Sequence, residues 1–347
     1  MKGFLVAVSC ITLALLLFHN IEENTKPDIR SFQAHLKKHN IKLKSITEVS
    51  FRFQIFQNRI KQFKQHNSLN LGWKKGSNRF THLTDQERRQ ILNISTKQHC
   101  FENQLNHTQP LLSTNTYNKP VKETDKPFKL ELNSNRINWK DNGYLPEVKD
   151  MKDCGASYAF AVTSAIESNY LMSQKTVQLS SQELIDCSTN KGCSGGDNKT
   201  ALEYILYNKL SDRNEYPFMN KEQTCKSDQS SSKFGIRSLN SPNPTINSLL
   251  KYVGISPIVS SLNTNQDFLD YDSGIYDAES SCGACNTSNF SVLVYGFDLT
   301  DSIPFINLQV SFGKQWGEDG YMRMSIGERE KGPCYIAGGF DNFYAVV

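Results

Sequence analysis

The sequence predicts an α+β protein, with helices early and strands late in its main unit and a separate helical segment in front. Three observations carry this. Residues 28 to 66 repeat apolar side chains at helical spacing. The second unit opens with an apolar helix from Ser157 to about Met172, followed by "LSSQELIDC". After about residue 245 the texture turns to short runs rich in β-branched and aromatic residues: "SPIVSSL", "NFSVLVYGFD", "PFINLQVSF" and "GYMRMSI". At 347 residues and 38% hydrophobic content, the chain can form about two domains with a sizeable core.

The first residues, "MKGFLVAVSCITLALLLFHN", place one Lys before an apolar stretch from Gly3 to Phe18. That is the length of a signal peptide, assigned to residues 1–20, and it is short for a bilayer span. No later stretch is long enough to cross, so no membrane span is expected beyond the signal peptide. Nine cysteines become eight once Cys10 is removed, an even number suited to an oxidising compartment. Five N-x-Ser/Thr sequons, at Asn93, Asn106, Asn198, Asn286 and Asn289, are candidate glycosylation sites. The expected location is the lysosome or the extracellular space.

Residues 1 to 132 hold 21 Lys and Arg against 10 Asp and Glu, a net of +11; the remainder holds 18 against 25, a net of −7. No motif interleaving basic and aromatic residues is present, so nucleic acid is not an expected partner. Two complementary parts of one precursor account for the asymmetry. In the first part, "FRFQIFQNRIKQF" places Phe51, Phe56, Ile60 and Phe63 on a long amphipathic helix. The pattern then breaks at "GSNRFTHLTDQE", where Thr84 and Glu87 fit a capping box for another helix. From about Asn103 to Asn135 the chain is rich in Asn, Thr, Lys and Pro with no apolar period, as in an exposed linker. Residues 21–132 are therefore read as a front segment with its linker, and 133–347 as the main domain. Within that domain, Ser180 and Glu183 suggest a second capping box.

Four stretches, "CGASYAF" at 154–160, "CSGGD" at 193–197, "NFSVLVYGFD" at 289–298 and "SFGKQWGEDGY" at 311–321, resemble the papain family of cysteine peptidases, and within it the cathepsin O-like members. The family versions read roughly CGSCWAF, CNGG, NHAVLVVGYG and NSWGxxWGxxGY. The front segment is similar to that family's inhibitory propeptide: Glu48, Arg52, Phe56 and Asn67 fit its long helical signature, and Asn78 and Phe80 fit its N-x-F-x-D motif, with His82 at the last position. The resemblance implies a papain-like two-lobe fold, with a helical left lobe, a β-barrel-like right lobe and a cleft between them. It implies no metal and no cofactor; the partners it implies are the chain's own propeptide and a peptide or protein ligand in the cleft.

Such a peptidase needs a thiolate at a helix N-terminus, a His as general acid, an Asn to orient the ring and a Gln at the oxyanion. Carried over by position, these fall on Ser157, Phe290, Val310 and Met151, so all four are substituted. Phe312 stands where the family places a Trp over the His-Asn pair. A serine nucleophile requires an adjacent base, and the seven histidines lie at 19, 35, 39, 66, 82, 99 and 107, none in the main domain. Lys149 and Lys152 stand at no position where the family places a base. The expectation is an inactive pseudopeptidase; the alternative is an active cathepsin-type endopeptidase with non-standard catalytic groups. By resemblance, Cys154 pairs with Cys193, Cys187 with Cys225, and Cys334 with Cys282 or Cys285; Cys100 is left open. Gly195 and Gly196 match glycines that pair with an extended peptide, and Trp316 matches a Trp on the cleft rim; a turn and core packing are their bland alternatives.

Overall fold

The computed structural model describes residues 28–93, 134–227, 231–277, 282, 289–327, 329–338 and 342–347. The signal peptide, most of the linker, Cys10, Cys100, Cys285, Asn106 and Asn286 lie outside them.

In the front segment, helix α1 (Ile29–Lys38) is capped by Asp28, whose carboxylate accepts from the Ser31 amide at 2.8 Å. Helix α2 (Ile46–Ser68) is capped by Ser45 and buries Phe56 and Phe63. Phe51, expected on the same stripe, is 51% exposed. Five helical positions rotate it off the face of Phe56, and Phe53, three positions away, takes the inner place with its ring 5.4 Å from Phe32. Strand β1 (Trp73–Lys75) leads to helix α3 (Asp85–Ile91), where Thr84 and Glu87 form both halves of the capping box.

The main domain begins with strand β2 (Arg136–Asn138) and helix α4 (Ser157–Met172). Every side chain of α4 from Ser157 to Asn169 is buried, which explains why its sequence lacks a polar face. Helix α5 (Ser181–Cys187) follows, capped by Ser180. Its second capping box is only half made: the Ser180 hydroxyl accepts from the Glu183 amide, but the fully buried Glu183 carboxylate accepts instead from the Ser211 amide at 2.8 Å and the Lys233 ammonium at 2.8 Å. A buried carboxylate is better satisfied by a cation and an interior amide than by a cap at the helix end. Helix α6 (Asn198–Asn208) completes the helical lobe.

The short strands β3 (Leu210–Ser211), β4 (Lys233–Phe234) and β5 (Ser238–Asn240) lead to helix α7 (Ile246–Val253). Then come β6 (Ile258–Leu262), helix α8 (Gln266–Leu269), β7 (Tyr271–Tyr276), β8 (Phe290–Asp298), β9 (Phe305–Gln309), β10 (Tyr321–Ser325) and β11 (Tyr344–Val346). The main sheet runs β1-β7-β10-β9-β8-β2, with β6 also on β8. All four runs read as strands from the sequence are strands. Strand β8 packs against α4 and is buried from Phe290 to Phe297, hence its unbroken apolar text. Disulfides join Cys154 to Cys193, Cys187 to Cys225 and, of the two partners open to Cys334, Cys282. Each contributes about 2–4 kcal/mol.

Candidate functional site

The cleft helix α4 starts beside the Cys154–Cys193 disulfide, and Ala156 at its cap offers no side-chain acceptor. Ser157, the first helical residue, is 4% exposed. Its hydroxyl oxygen accepts a hydrogen bond from the backbone N–H of Ser291 on β8 at 3.0 Å. Among the described residues no basic side chain hydrogen-bonds this hydroxyl. Ser157 therefore ties the two lobes together, a role that Ser291 did not reveal in the sequence.

The other three positions matched by the resemblance, Met151, Phe290 and Val310, belong to one apolar cluster. Met151 and Val310 are fully buried and Phe290 is 1% exposed. The Phe290 ring lies 5.0 Å from Phe312 and 5.6 Å from Phe268, and Phe312 lies 5.3 Å from Trp316. Such contacts add about 0.5–1.5 kcal/mol per pair beyond area burial. The Met151 amide still donates to the Ser311 carbonyl at 2.9 Å, so its backbone is in place while its side chain has no polar group to offer an oxyanion. Trp316, matched to the cleft rim, is buried in this form, and its indole N–H donates to the Leu269 carbonyl at 3.0 Å. Core packing is its role here.

The two lysines considered as bases are engaged elsewhere. Lys149 Nζ lies 2.9 Å from Glu167 and donates to Thr163 at 2.7 Å; burial pulls its pKa down and the Glu167 carboxylate opposes the shift. Lys152 Nζ pairs with Asp150 at 2.8 Å.

At Ser291, the hydrogen-bond partner of Ser157, opens a cleft of about 380 Å³, also lined by Asn190, Lys191, Gly195, Ser261, Asn289 and Phe290 among others. The front segment enters it. Asn93 Nδ2 donates to the Gly155 carbonyl at 2.7 Å. Gly195, at φ +104°, lets the Asn93 carboxamide approach: a Cβ there would sit 3.2 Å from it. Gly196 also lines the cleft and faces Asn190, whose Oδ1 accepts from the Asp197 amide at 3.0 Å.

The front segment is anchored beyond the cleft as well. Strand β1 pairs antiparallel with β7, extending the sheet. Arg88 and Asp270, 0% and 5% exposed at their side chains, form an ion pair at 2.8 Å. Asn78 Nδ2 donates to the Leu269 carbonyl at 2.7 Å, and the Phe80 ring meets Phe312 edge-on at 4.9 Å. Asn78 and Phe80 were legible as a motif; Arg88 carried no signal.

Of the sequons, Asn198 is fully buried and its Nδ2 donates to Ser261 Oγ at 2.9 Å, which leaves no room for a glycan. Asn289 Oδ1 accepts from the Thr264 amide at 2.7 Å, and Asn93 is the cleft contact above.

Residues 133–340 match the sequence profile of the papain family cysteine proteases, and residues 32–88 that of the cathepsin propeptide inhibitor domain. Thiol protease aleurain of Arabidopsis thaliana is 30% identical over 319 residues, covering 89% of this chain and 82% of its own. Pro-cathepsin H of Mus musculus is 28% identical over 316 residues, covering 88% and 87%. Among solved structures, a recombinant stem bromelain precursor superposes with a TM-score of 0.75 at 26% identity, covering 92% of this chain and 98% of that one.

Proposed function

Because the chain belongs to the papain family of cysteine peptidases and carries that family's cathepsin-type propeptide, we propose that it is a cathepsin O-like pseudopeptidase, which binds a peptide or protein in its cleft without cleaving it. The observation that carries this is the state of Ser157: its hydroxyl oxygen accepts from a backbone amide, and the positions that the resemblance assigns to the imidazole and its orienting amide hold the buried, apolar Phe290 and Val310. An alcohol without a base is a poor nucleophile, and losing the triad leaves only oxyanion stabilisation, which Met151 weakens. The intact frame of disulfides, sheet and cleft supports binding as the retained task. Its N-terminal apolar stretch and its cysteine pairs support a place in the lysosome or outside the cell.

The test is hydrolysis of a fluorogenic peptide library by the purified chain with its front segment removed. No turnover is expected, and a serine-reactive phosphonate should leave Ser157 unlabelled. Turnover that disappears on Ser157→Ala would overturn the reading and establish the active alternative.

A further inference from the structure

We propose that the turn between α1 and α2, together with the groove it borders, is a docking track for a sulfated polysaccharide, which fastens the front segment to the main domain. Four exposed lysines stand within eight residues there, at Lys37, Lys38, Lys42 and Lys44. Lysine-rich runs of this length make patches for polyanions. The alternative is a solvated turn that carries its charge for local reasons.

Local structure accounts for only part of the run. Lys37 and Lys38 close the last turn of α1, where the helix dipole favours cations. Lys42 and Lys44 stand just before Ser45, the N-cap of α2, where the same dipole disfavours them. Nor does the fit of the front segment to the main domain use the run. Among the described residues, the front-segment cations paired with main-domain acids are Lys75 with Asp267 at 2.7 Å, Arg79 with Asp150 at 2.7 Å and Arg88 with Asp270 at 2.8 Å. None of the four lysines takes part in an ion pair among those residues.

Lys38 also lines a groove of about 800 Å³ between this turn and the main domain. The other Lys and Arg side chains lining it are Arg79, Lys152 and Lys314, and its acids are Asp150 and Asp153. Asp150 is already shared by Arg79 at 2.7 Å and Lys152 at 2.8 Å, so the exposed Lys38 and Lys314 leave the groove with an excess of positive charge. What the groove lacks narrows the polyanion. Phe80, Phe312 and Trp316 are buried, so no ring face is offered to a nucleobase. None of the apolar side chains lining it is exposed, so it has nothing to insert into a bilayer. Ammonium groups along a trough match sulfate groups on an extended chain. A chain lying there neutralises Lys38 of the front segment and Lys314 of the main domain together, and so holds the two parts against each other. The groove is separate from the cleft at Ser291, and the proposal does not depend on whether that cleft cuts or only binds.

The experiment titrates the full chain by calorimetry with a heparin octasaccharide, at low and at physiological salt. The expected result is binding that weakens with salt and that falls at least about tenfold in the quadruple variant Lys37→Gln, Lys38→Gln, Lys42→Gln, Lys44→Gln. Lys314→Glu, on the main-domain wall, should weaken it at least about threefold, and the control triple variant Lys61→Gln, Lys74→Gln, Arg89→Gln, exposed cations outside the groove, less than about twofold. Hydrogen exchange over residues 29–38 of the wild type should slow at least about threefold when the octasaccharide is bound, a readout that needs no variant. An unsulfated hyaluronan octasaccharide should not bind. The proposal is overturned if the heparin octasaccharide does not bind, if the control triple variant weakens binding as much as the quadruple one, or if Lys314→Glu leaves the affinity unchanged. It is equally overturned if the bound octasaccharide leaves exchange over residues 29–38 unchanged, or if hyaluronan, or a polyglutamate or single-stranded oligonucleotide of equal charge, binds as tightly.

Discussion

Acidification should loosen the front segment far more than the main domain. His35 and His82 are 5% and 7% exposed, with Nε2 of one 3.4 Å from Nδ1 of the other. His35 also packs 5.0 Å from the His39 ring, with Ser77 Oγ on its Nδ1 at 3.2 Å. The charges facing them are mostly of like sign: Lys38 toward His35, and Arg52 toward His82, where Glu87 and Glu48 partly compensate. Burial and these neighbours push His35 down to about 3 and His82 to about 4. Both folded values lie below the unfolded value of about 6.5, so the rings stabilise the fold fully above about pH 6.5 and lose that contribution as pH falls toward their folded values. Between pH 6.5 and 5 each ring costs about 1.5 units at about 1.36 kcal/mol, or about 2 kcal/mol, giving about 4 kcal/mol together. That corresponds to roughly a thousandfold rise in the open population. The assay is hydrogen exchange over residues 29–68 at pH 7 and pH 5, corrected for intrinsic rates. A change in opening free energy below about 1 kcal/mol, or an unaltered pH dependence in the His35→Phe, His82→Leu double variant, would refute the reasoning.

Three further outcomes are expected. Arg88→Met leaves Asp270 buried and unpaired and should cost about 3–5 kcal/mol in urea unfolding, while adding Asp270→Leu should recover most of it. Phe290→His puts an imidazole among Phe268 and Phe312 and should cost about 1–3 kcal/mol; Val310→Asn should soften the loss, a coupling that a double-mutant cycle by thermal unfolding measures. Ser157→Ala leaves the Ser291 amide without its acceptor and should destabilise by about 1–3 kcal/mol in the same assay, with no change in any residual turnover.

The elements with strong local text were legible in the sequence. Helix α4 and strands β6, β8 and β9 stood out as runs rich in apolar residues because both their faces are covered, β10 stood out by alternation because only every second residue is buried, and Thr84 with Glu87 announced α3 because a cap is a local interaction. What could not be read depends on partners far apart in the chain. Glu183 looked like a cap and instead serves Ser211 and Lys233, since burial rewards whichever cation and amide the fold delivers. Phe51 and Phe53 were exchanged because helix phase is set by what α1 presents. At the candidate site, motif positions drew attention to Ser157, Phe290, Val310 and Met151, but the Ser291 amide, the Arg88–Asp270 pair and the Asn93 contact each join segments with no shared sequence signal.

The pairing of β1 with β7 has a consequence for the solubility of the main domain by itself. While the front segment is in place, Tyr271 to Tyr276 is an interior strand, with Trp73 to Lys75 occupying its outer side. Shedding that segment turns β7 into the rim of the sheet, with a row of backbone donors and acceptors facing water and two tyrosines and an isoleucine in the strand. A domain processed in this way is a template for another extended chain, whether a bound partner or a second copy of itself, and its tendency to assemble should rise with concentration as the front segment is lost.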